Sequence, residues 1–211
     1  MSEPNIAVHC GGLFQTNGYL VAAGDHRYLF DAPGDVLPWL KSHGIKLDGL
    51  ILTHQHHDHV VDAAAVQEAF GCETWAFSKP DPDLTLARNL EQMTGLPCDL
   101  GDYRVDHIVT EDGGLSLPGL ELSVMHVPGH SPDSLCFKLG DSSVVIAGDV
   151  LFRGSIGRTD FPHSDHDALI NGIREKLWPL DDKTRILPGH GPETTVGLEK
   201  RTNPFVGGVA G

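Results

Sequence analysis

One segment constrains this chain more than any other, because it places four histidines and one aspartate within six consecutive positions, His54 to His59. The segment follows the apolar run Leu50 to Leu52 and precedes a run of helical spacing that starts at Val60, so we predict a strand-to-helix loop. Crowded imidazoles disfavour each other's charged forms and compete for hydrogen-bond donors. A bound metal ion would remove that cost.

The spacing of these residues indicates which kind of metal site to expect. His54, His56, Asp58 and His59 stand at relative positions i, i+2, i+4 and i+5, unlike the HExxH helix, whose two histidines share one helical face. On a curling loop, such residues can separate into two sets that face two ions.

Three more candidate ligands follow apolar, strand-like runs. His130 ends the turn His126 to His130, Asp149 follows the run Val144 to Ala147, and His190 follows Ile186 to Gly189. Strand ends of this kind converge along one edge of an α/β sheet, where ligands and catalytic loops usually lie. Neighbouring glycines allow tight turns close to an ion.

The order of these motifs resembles that of a known family. HxHxDH, then PGH, then GD after a strand, then PGHG is similar to the metallo-β-lactamase fold superfamily, and the match covers almost the whole chain. Within that superfamily, three phrases are similar to small glyoxalase II-like hydrolases: Gly154 to Asp160, Gly189 to Glu193, and Asn203 to Phe205.

The resemblance implies an α/β fold of a particular kind. We expect a four-layer αββα sandwich, in which two mixed β-sheets carry helices on their outer faces, built as a single domain over residues 1–211. From the residues alone, the alternation of short β-branched runs with longer amphipathic ones predicts only a mixed α/β protein. Apolar runs predict four strands, at Tyr28 to Phe30, Leu50 to Leu52, Leu122 to Val124 and Val144 to Ala147. Helical spacing predicts four helices, at Val36 to Ser42, Val60 to Phe70, Asp83 to Met93 and Asp167 to Leu177.

The resemblance also assigns every ligand position. His54, His56 and His130 are expected to hold one metal, Asp58, His59 and His190 the other, and Asp149 to bridge both. The predicted cofactors are therefore two divalent ions per chain, with zinc as the first expectation and iron or manganese as alternatives. Water bound between the ions would be the nucleophile, and Asp58 and Asp149 are the predicted catalytic residues that orient it.

The expected activity is hydrolysis of a thioester such as a hydroxyacyl-glutathione. Longer glyoxalase II enzymes add a C-terminal helical region and commonly place a Tyr after the last ligand, where this chain reads Gly191-Pro192-Glu193, so we expect weaker glutathione recognition.

Alternatives are a persulfide dioxygenase using a single iron on His54, His130 and Asp149, and a lactone or β-lactam hydrolase. Arg158 is the candidate substrate-binding residue, although it could instead form an ion pair with Asp160.

Composition limits the partners. Fifteen basic residues against 29 acidic ones give a formal net charge of -14, which disfavours nucleic acid as a partner. No run is apolar for long enough to span a bilayer, and Met1 to Ile6 lack the pattern of a secretion signal. We expect a cytoplasmic enzyme with a small-molecule acyl substrate and no membrane partner; its oligomeric state is left open.

Four cysteines and eight remaining histidines receive simpler interpretations. The cysteines are far apart and form no CxxC pair, so they are predicted to be free thiols. His57 is either exposed to solvent or part of the pocket lining, and His126 is expected to orient a ligand. Six others are interpreted as surface or core residues: His9, His26, His43, His107, His163 and His166.

Overall fold

The computed structural model describes residues 4–95, 97–110 and 112–207. These residues form two compact units, 4–110 and 112–207, and the boundary lies beside the Gly113-Gly114 pair. The predicted domain limits, residues 1 and 211, lie outside the described residues, and the single domain stays a prediction.

The unit 4–110 is built on a six-stranded mixed sheet in the order β1-β2-β3-β4-β5-β6. The first three strands are antiparallel, and β3 to β6 run parallel to one another. The strands are β1 (Asn5–Gly11), β2 (Thr16–Ala23), β3 (His26–Phe30), β4 (Gly49–Ile51), β5 (Glu73–Ala76) and β6 (His107–Ile108). Because parallel strands end at the same edge, the residues that follow β3, β4 and β5 come close together.

Five helices complete this unit: α1 (Val36–Ser42), α2 (His57–Val60), α3 (Ala63–Phe70), α4 (Pro82–Thr85) and α5 (Ala87–Thr94). Their apolar residues pack on the sheet, where Leu29, Leu40, Leu50 and Val60 are completely buried. Burial of the strand residues on both faces explains the continuous apolar runs in the sequence.

The unit 112–207 contains a second six-stranded mixed sheet, in the order β14-β13-β10-β9-β8-β7. Its strands are β7 (Gly113–Leu117), β8 (Leu120–His126), β9 (Leu135–Leu139), β10 (Val144–Gly148), β13 (Arg185–Pro188) and β14 (Thr194–Thr195). Since β10 is parallel to β13 and both β8 and β10 are antiparallel to β9, the strands β8, β10 and β13 all end at one edge.

A short hairpin, β11 (Leu151–Phe152) and β12 (Ser155–Ile156), forms a separate two-stranded sheet. The described residues of this unit also include the α-helices α6 (His166–Gly172) and α7 (Val196–Thr202). The core includes Val145, Leu169 and Ile186, all fully buried. The side chains of Asp165 and Thr195 cap α6 and α7 by accepting from backbone N–H groups of the first turn.

The predicted helices are found, with three corrections. The helix expected over Val60 to Phe70 is divided between α2 and α3. The backbone N–H of Asp62 donates to the Ala32 carbonyl and its carboxylate accepts the Leu37 N–H, so the N–H does not continue the hydrogen bonds of α2. The helix expected over Asp83 to Met93 is interrupted at Leu86, whose φ is 55°.

In the fourth predicted helix, Asp167 to Leu177, the last five residues form a π-helical turn, Ile173–Leu177. The first predicted helix, Val36 to Ser42, is confirmed at both ends. All four predicted strands are present, although Leu52 lies one residue beyond β4. Among the described helices, none is long and apolar enough to cross a membrane.

We predict that Leu50→Ala lowers the free energy of unfolding by about 2–5 kcal/mol, because Leu50 has no exposed surface and its loss leaves a cavity in a packed core. Leu13→Ala is the matched control, since Leu13 is 78% exposed and should change stability by no more than about 0.5 kcal/mol. Urea unfolding of both variants measures the difference. Equal losses of stability would contradict this description of the core.

Candidate metal centre

Four of the seven predicted ligands lie in one unit and three in the other. The unit 4–110 holds His54, His56, Asp58 and His59, and the unit 112–207 holds His130, Asp149 and His190.

The segment predicted as a loop is only partly one. After β4 the chain is irregular as far as His56, which precedes the first helical turn, and Asp58 and His59 already belong to α2. The expectation that helical structure starts only at Val60 is therefore wrong by three residues, because the N–H of His59 bonds to the His56 carbonyl at 2.9 Å. The turn brings Asp58 and His59 to the beginning of the helix.

Asp31 organises this group, although it is not one of the predicted ligands. It directly follows β3, has a φ of 60° and is buried. Its Oδ1 accepts the Thr53 N–H at 2.7 Å, and its Oδ2 accepts the Thr53 hydroxyl at 2.8 Å and Nδ1 of His59 at 2.8 Å. One carboxylate thus joins the end of β3 to the segment that carries the ligands.

These bonds determine which nitrogen of each histidine faces the ligand group. Since the ionised carboxylate of Asp31 only accepts, Nδ1 of His59 donates, and a neutral His59 presents the lone pair of Nε2. The Thr53 hydroxyl gives its proton to Asp31 and therefore accepts from Nδ1 of His54, which lies 3.1 Å away. His54 then also presents Nε2 as an acceptor.

The ligand atoms of this group are close together. Those of His54 and His56, of His54 and His59, and of Asp58 and His59 each lie within 4.8 Å of each other. The rings of His54 and His59 have centroids 4.1 Å apart, and Oδ2 of Asp58 lies 3.6 Å from Nε2 of His59. Lone pairs that converge at these distances are stabilised by a cation among them.

Gln55, which stands between two predicted ligands, is held by contacts outside the motif. It is completely buried, its Oε1 accepts the Tyr103 hydroxyl at 2.7 Å, and its Nε2 donates to Oγ of Ser78 at 2.9 Å. These bonds fix the backbone between His54 and His56.

The unit 112–207 places its three predicted ligands in contact. Oδ2 of Asp149, which directly follows β10, lies 3.4 Å from Nε2 of His130 and 3.3 Å from Nε2 of His190. Nδ1 of His130 donates to the Arg158 carbonyl at 2.8 Å, so a neutral His130 presents the Nε2 lone pair toward the carboxylate. Asp149 therefore lies close to one predicted ligand of each ion, and its bridging role stays a prediction.

Both groups fit divalent transition metals by the same test. In each, an imidazole donates through Nδ1 to an acceptor that is part of the protein and directs Nε2 toward a carboxylate oxygen 3.4 or 3.6 Å away. Imidazole nitrogens and carboxylate oxygens are the ligands that zinc, iron and manganese accept. An outer partner that fixes the ring is typical of metal-binding histidines.

Arg158, the predicted substrate-binding residue, forms a bidentate ion pair with Asp160, with N···O distances of 2.9 and 2.8 Å. The two side chains are 65% and 66% exposed, and the Arg158 guanidinium also lies 4.5 Å from the ring centroid of Phe161. Asp160 raises the pKa of Arg158, and Arg158 lowers the pKa of Asp160. The ion pair with Asp160 that was the alternative for Arg158 is thus observed, and substrate binding by Arg158 stays a prediction.

His57 and His126 lie close in the sequence to predicted ligands, and each has a defined environment. His57 is half-buried, and burial lowers the pKa of its imidazole against the opposing charge of Asp58. Nε2 of His126 lies 2.7 Å from the Pro132 carbonyl, so this ring contacts the backbone just after His130. A role of His126 in orienting a ligand stays a prediction.

The cysteines are free, as predicted. Burial raises the pKa of Cys72 to about 11 and that of Cys136 to about 12, so these two thiols are poor nucleophiles near neutral pH.

Sequence reasoning missed three residues that support the ligands: Thr16, Asp31 and Thr53. Asp31 could have been found, because it follows an apolar strand just as Asp149 does. Thr16 donates to Oδ2 of Asp58 at 2.6 Å from 42 positions away in the chain, and no local pattern marks such a contact.

Comparison with known proteins identifies the family. The model of the metallo-β-lactamase superfamily matches residues 11–190, which include all seven predicted ligands. The hydroxyacylglutathione hydrolase GloC of Haemophilus influenzae is 41% identical over 165 residues, 77% of each chain. The probable metallo-hydrolase YqgX of Bacillus subtilis is 34% identical over 210 residues, 94% of this chain and 96% of its own.

Solved structures extend the comparison to the fold. The B3 metallo-β-lactamase BLEG-1 has a TM-score of 0.87 at 34% identity, covering 97% of this chain and 100% of its own. TTHA1623 in a di-iron-bound form has a TM-score of 0.80 at 36% identity, covering 94% and 99%. The predicted fold class is confirmed, and the chain belongs to the metallo-β-lactamase superfamily as a metallo-hydrolase.

Proposed function

We propose that the chain hydrolyses a thioester such as a hydroxyacyl-glutathione, with two divalent metal ions per molecule. The proposal assigns His54, His56 and His130 to one ion, Asp58, His59 and His190 to the other, and Asp149 to both. The observation that carries it is the repeated geometry, in which histidines of both units direct Nε2 toward a carboxylate while Nδ1 is fixed by the protein.

In this proposal, bound metals supply the chemistry that protein groups lack, since they lower the pKa of water toward about 7 and polarise the scissile carbonyl. The residues of the chain supply orientation. The carboxylates of Asp58 and Asp149 accept hydrogen bonds from the attacking water and align it with the carbonyl carbon. No thiol of the protein is required as a nucleophile.

The similarity to GloC supports a thioester substrate, because that relative is named as a hydroxyacylglutathione hydrolase. A small acyl compound also fits the formal net charge of -14, which works against polyanionic partners. Zinc is our first choice of metal, and the similarity to TTHA1623 in a di-iron-bound form makes iron the main alternative.

A second candidate is β-lactam hydrolysis. It is favoured by the similarity to BLEG-1, which is described as a B3 metallo-β-lactamase and is covered over its full length. The same activated water attacks either acyl carbon, and the surrounding loops decide which substrate is accepted.

We predict that the purified protein cleaves an acyl-glutathione thioester with a kcat of roughly 1 to 10³ s⁻¹, under anaerobic conditions as well as in air, because attack by water is not a redox step. A high KM is expected, since Gly191-Pro192-Glu193 occupies the place where longer relatives commonly carry a Tyr. The assay panel includes a lactone, a β-lactam and oxygen uptake with glutathione persulfide. Rapid oxygen uptake without thioester cleavage would replace the hydrolase with a persulfide dioxygenase.

We predict two transition-metal ions per chain in the wild-type protein, and that Asp149→Asn lowers both metal content and kcat. The loss should exceed the roughly 10- to 100-fold cost of removing an outer partner of a ligand, because a neutral amide is a poor bridge between two cations. Elemental analysis, kinetics and thermal unfolding measure this, with the exposed Asp141→Asn as control. Unchanged metal content and kcat would refute the bridging assignment.

Gly157 provides a test that changes no ligand, because it packs against two of them. A Cβ at this position would lie 2.0 Å from the Asp149 carbonyl oxygen and 2.9 Å from Cβ and Cγ of His130. We predict that Gly157→Ala displaces these residues and lowers kcat by about 100-fold, the effect of a misplacement near 1 Å.

Gly113→Ala is the control for this substitution, since none of the described residues beyond its two chain neighbours has an atom within 4 Å of the added Cβ. Kinetics and metal content are measured for both variants. If Gly157→Ala keeps two ions and wild-type kcat, the described packing around His130 and Asp149 does not govern the reaction.

A further inference from the structure

Asp58 receives a hydrogen bond from a residue outside the histidine motif. Oγ1 of Thr16 lies 2.6 Å from Oδ2 of Asp58, and because an ionised carboxylate only accepts, the Thr16 hydroxyl donates. Thr16 is 1% exposed, so little solvent reaches its hydroxyl to compete for this bond. A short bond to a charged acceptor is among the stronger hydrogen bonds that a neutral side chain can make.

Thr16 lies beside a hairpin turn that several hydrogen bonds hold in place. Thr16 is the first residue of β2 and pairs with Gly11, the last residue of β1, directly beside the hairpin turn. The turn is closed by Gln15, whose backbone N–H and Nε2 both bond to the Gly12 carbonyl, at 3.3 and 3.0 Å. The thiol of Cys10 also donates to the Gln15 carbonyl at 3.2 Å. A donor on so constrained a turn has little freedom to move away.

Asp58 needs such support, because the element that carries it is short. Helix α2 has only four residues, and a single turn does not hold its own conformation in the absence of tertiary contacts. Asp31 fixes the ring of the next residue, His59, by its bond to Nδ1. The neighbouring ligands Asp58 and His59 are therefore oriented separately, one from β2 and the other from the end of β3.

We propose that Thr16 is a positioning residue that sets the orientation of the Asp58 carboxylate for metal binding and for alignment of the attacking water. The inference rests on the proposed two-metal function. Holding Oδ2 in one place fixes the plane of the carboxylate and hence the direction of Oδ1. Without the hydroxyl, the carboxylate rotates about its side-chain bonds, and the ion that Asp58 helps to hold is bound less tightly.

The test uses the full-length protein and three variants. Thr16→Val replaces the hydroxyl with a methyl group of similar size, Thr16→Ser keeps the hydroxyl, and Thr74→Val removes a buried hydroxyl from β5 of the same unit. Zinc binding is titrated against a competing chelator, and kcat, KM and the melting temperature of the metal-free protein are measured. If Thr16→Val does not fold, Thr16→Ala takes its place.

We expect Thr16→Val to bind its weaker zinc ion roughly 10- to 100-fold less tightly than the wild type, the usual effect of losing an outer partner of a metal ligand. Its kcat should fall while KM stays unchanged, because an alignment needed only in the transition state is lost. Thr16→Ser should restore both values. Thr74→Val should lower the melting temperature of the metal-free protein without changing zinc affinity.

Two results would overturn this inference alone, namely wild-type zinc affinity and kcat in Thr16→Val, or a Thr16→Ser variant as impaired as Thr16→Val. In both cases the wild-type protein still binds two ions, so the proposed function survives. A wild-type protein that binds fewer than two transition-metal ions, with zinc or with iron, would overturn the proposed function, and with it the role of Thr16.

Discussion

The carboxylate of Asp31 is the interaction on which the ligand group of residues 4–110 depends. It accepts three hydrogen bonds, from the backbone and hydroxyl of Thr53 and from Nδ1 of His59, and through Thr53 it also determines the proton position on His54. A buried carboxylate requires such donors, because an uncompensated charge away from water is costly. The bonds that satisfy Asp31 also leave His54 and His59 with a lone pair on Nε2.

In the unit 112–207, a backbone carbonyl and not a carboxylate fixes the ring of a predicted ligand. There the outer partner of His130 is the backbone carbonyl of Arg158, on the segment that follows the β11-β12 hairpin. Helix α7 and the residue after it hold this hairpin, because Glu199 accepts the N–H of Gly154 and Asn203 donates to the Ser155 carbonyl. A buried carboxylate and a buried amide thus support the loop that fixes a predicted ligand.

Local sequence patterns predict much of the fold and of the ligand site, whereas the remaining features depend on contacts between residues distant in the chain. The strands around Leu50, Leu122 and Val145 follow from β-branched and apolar runs, and the family motifs identified the superfamily and its fold class. The interruption at Leu86 and the separation of α2 from α3 did not follow, because helical spacing continues through both points while tertiary bonds or a left-handed residue break the helix. Thr16 lacked any local signal, since its partner Asp58 lies in another element.

The bonds of Gln55 limit which substitutions such a chain can accept during evolution or engineering. Its side chain ties the stretch between His54 and His56 to Ser78 and Tyr103, and Tyr103 lies in the segment that follows helix α5. Insertions or substitutions in that segment therefore reach the ligands through Gln55 even when they touch no ligand. Substitutions in that segment that leave Ser78, Tyr103 and Gln55 unchanged keep the bonds that hold the stretch between His54 and His56.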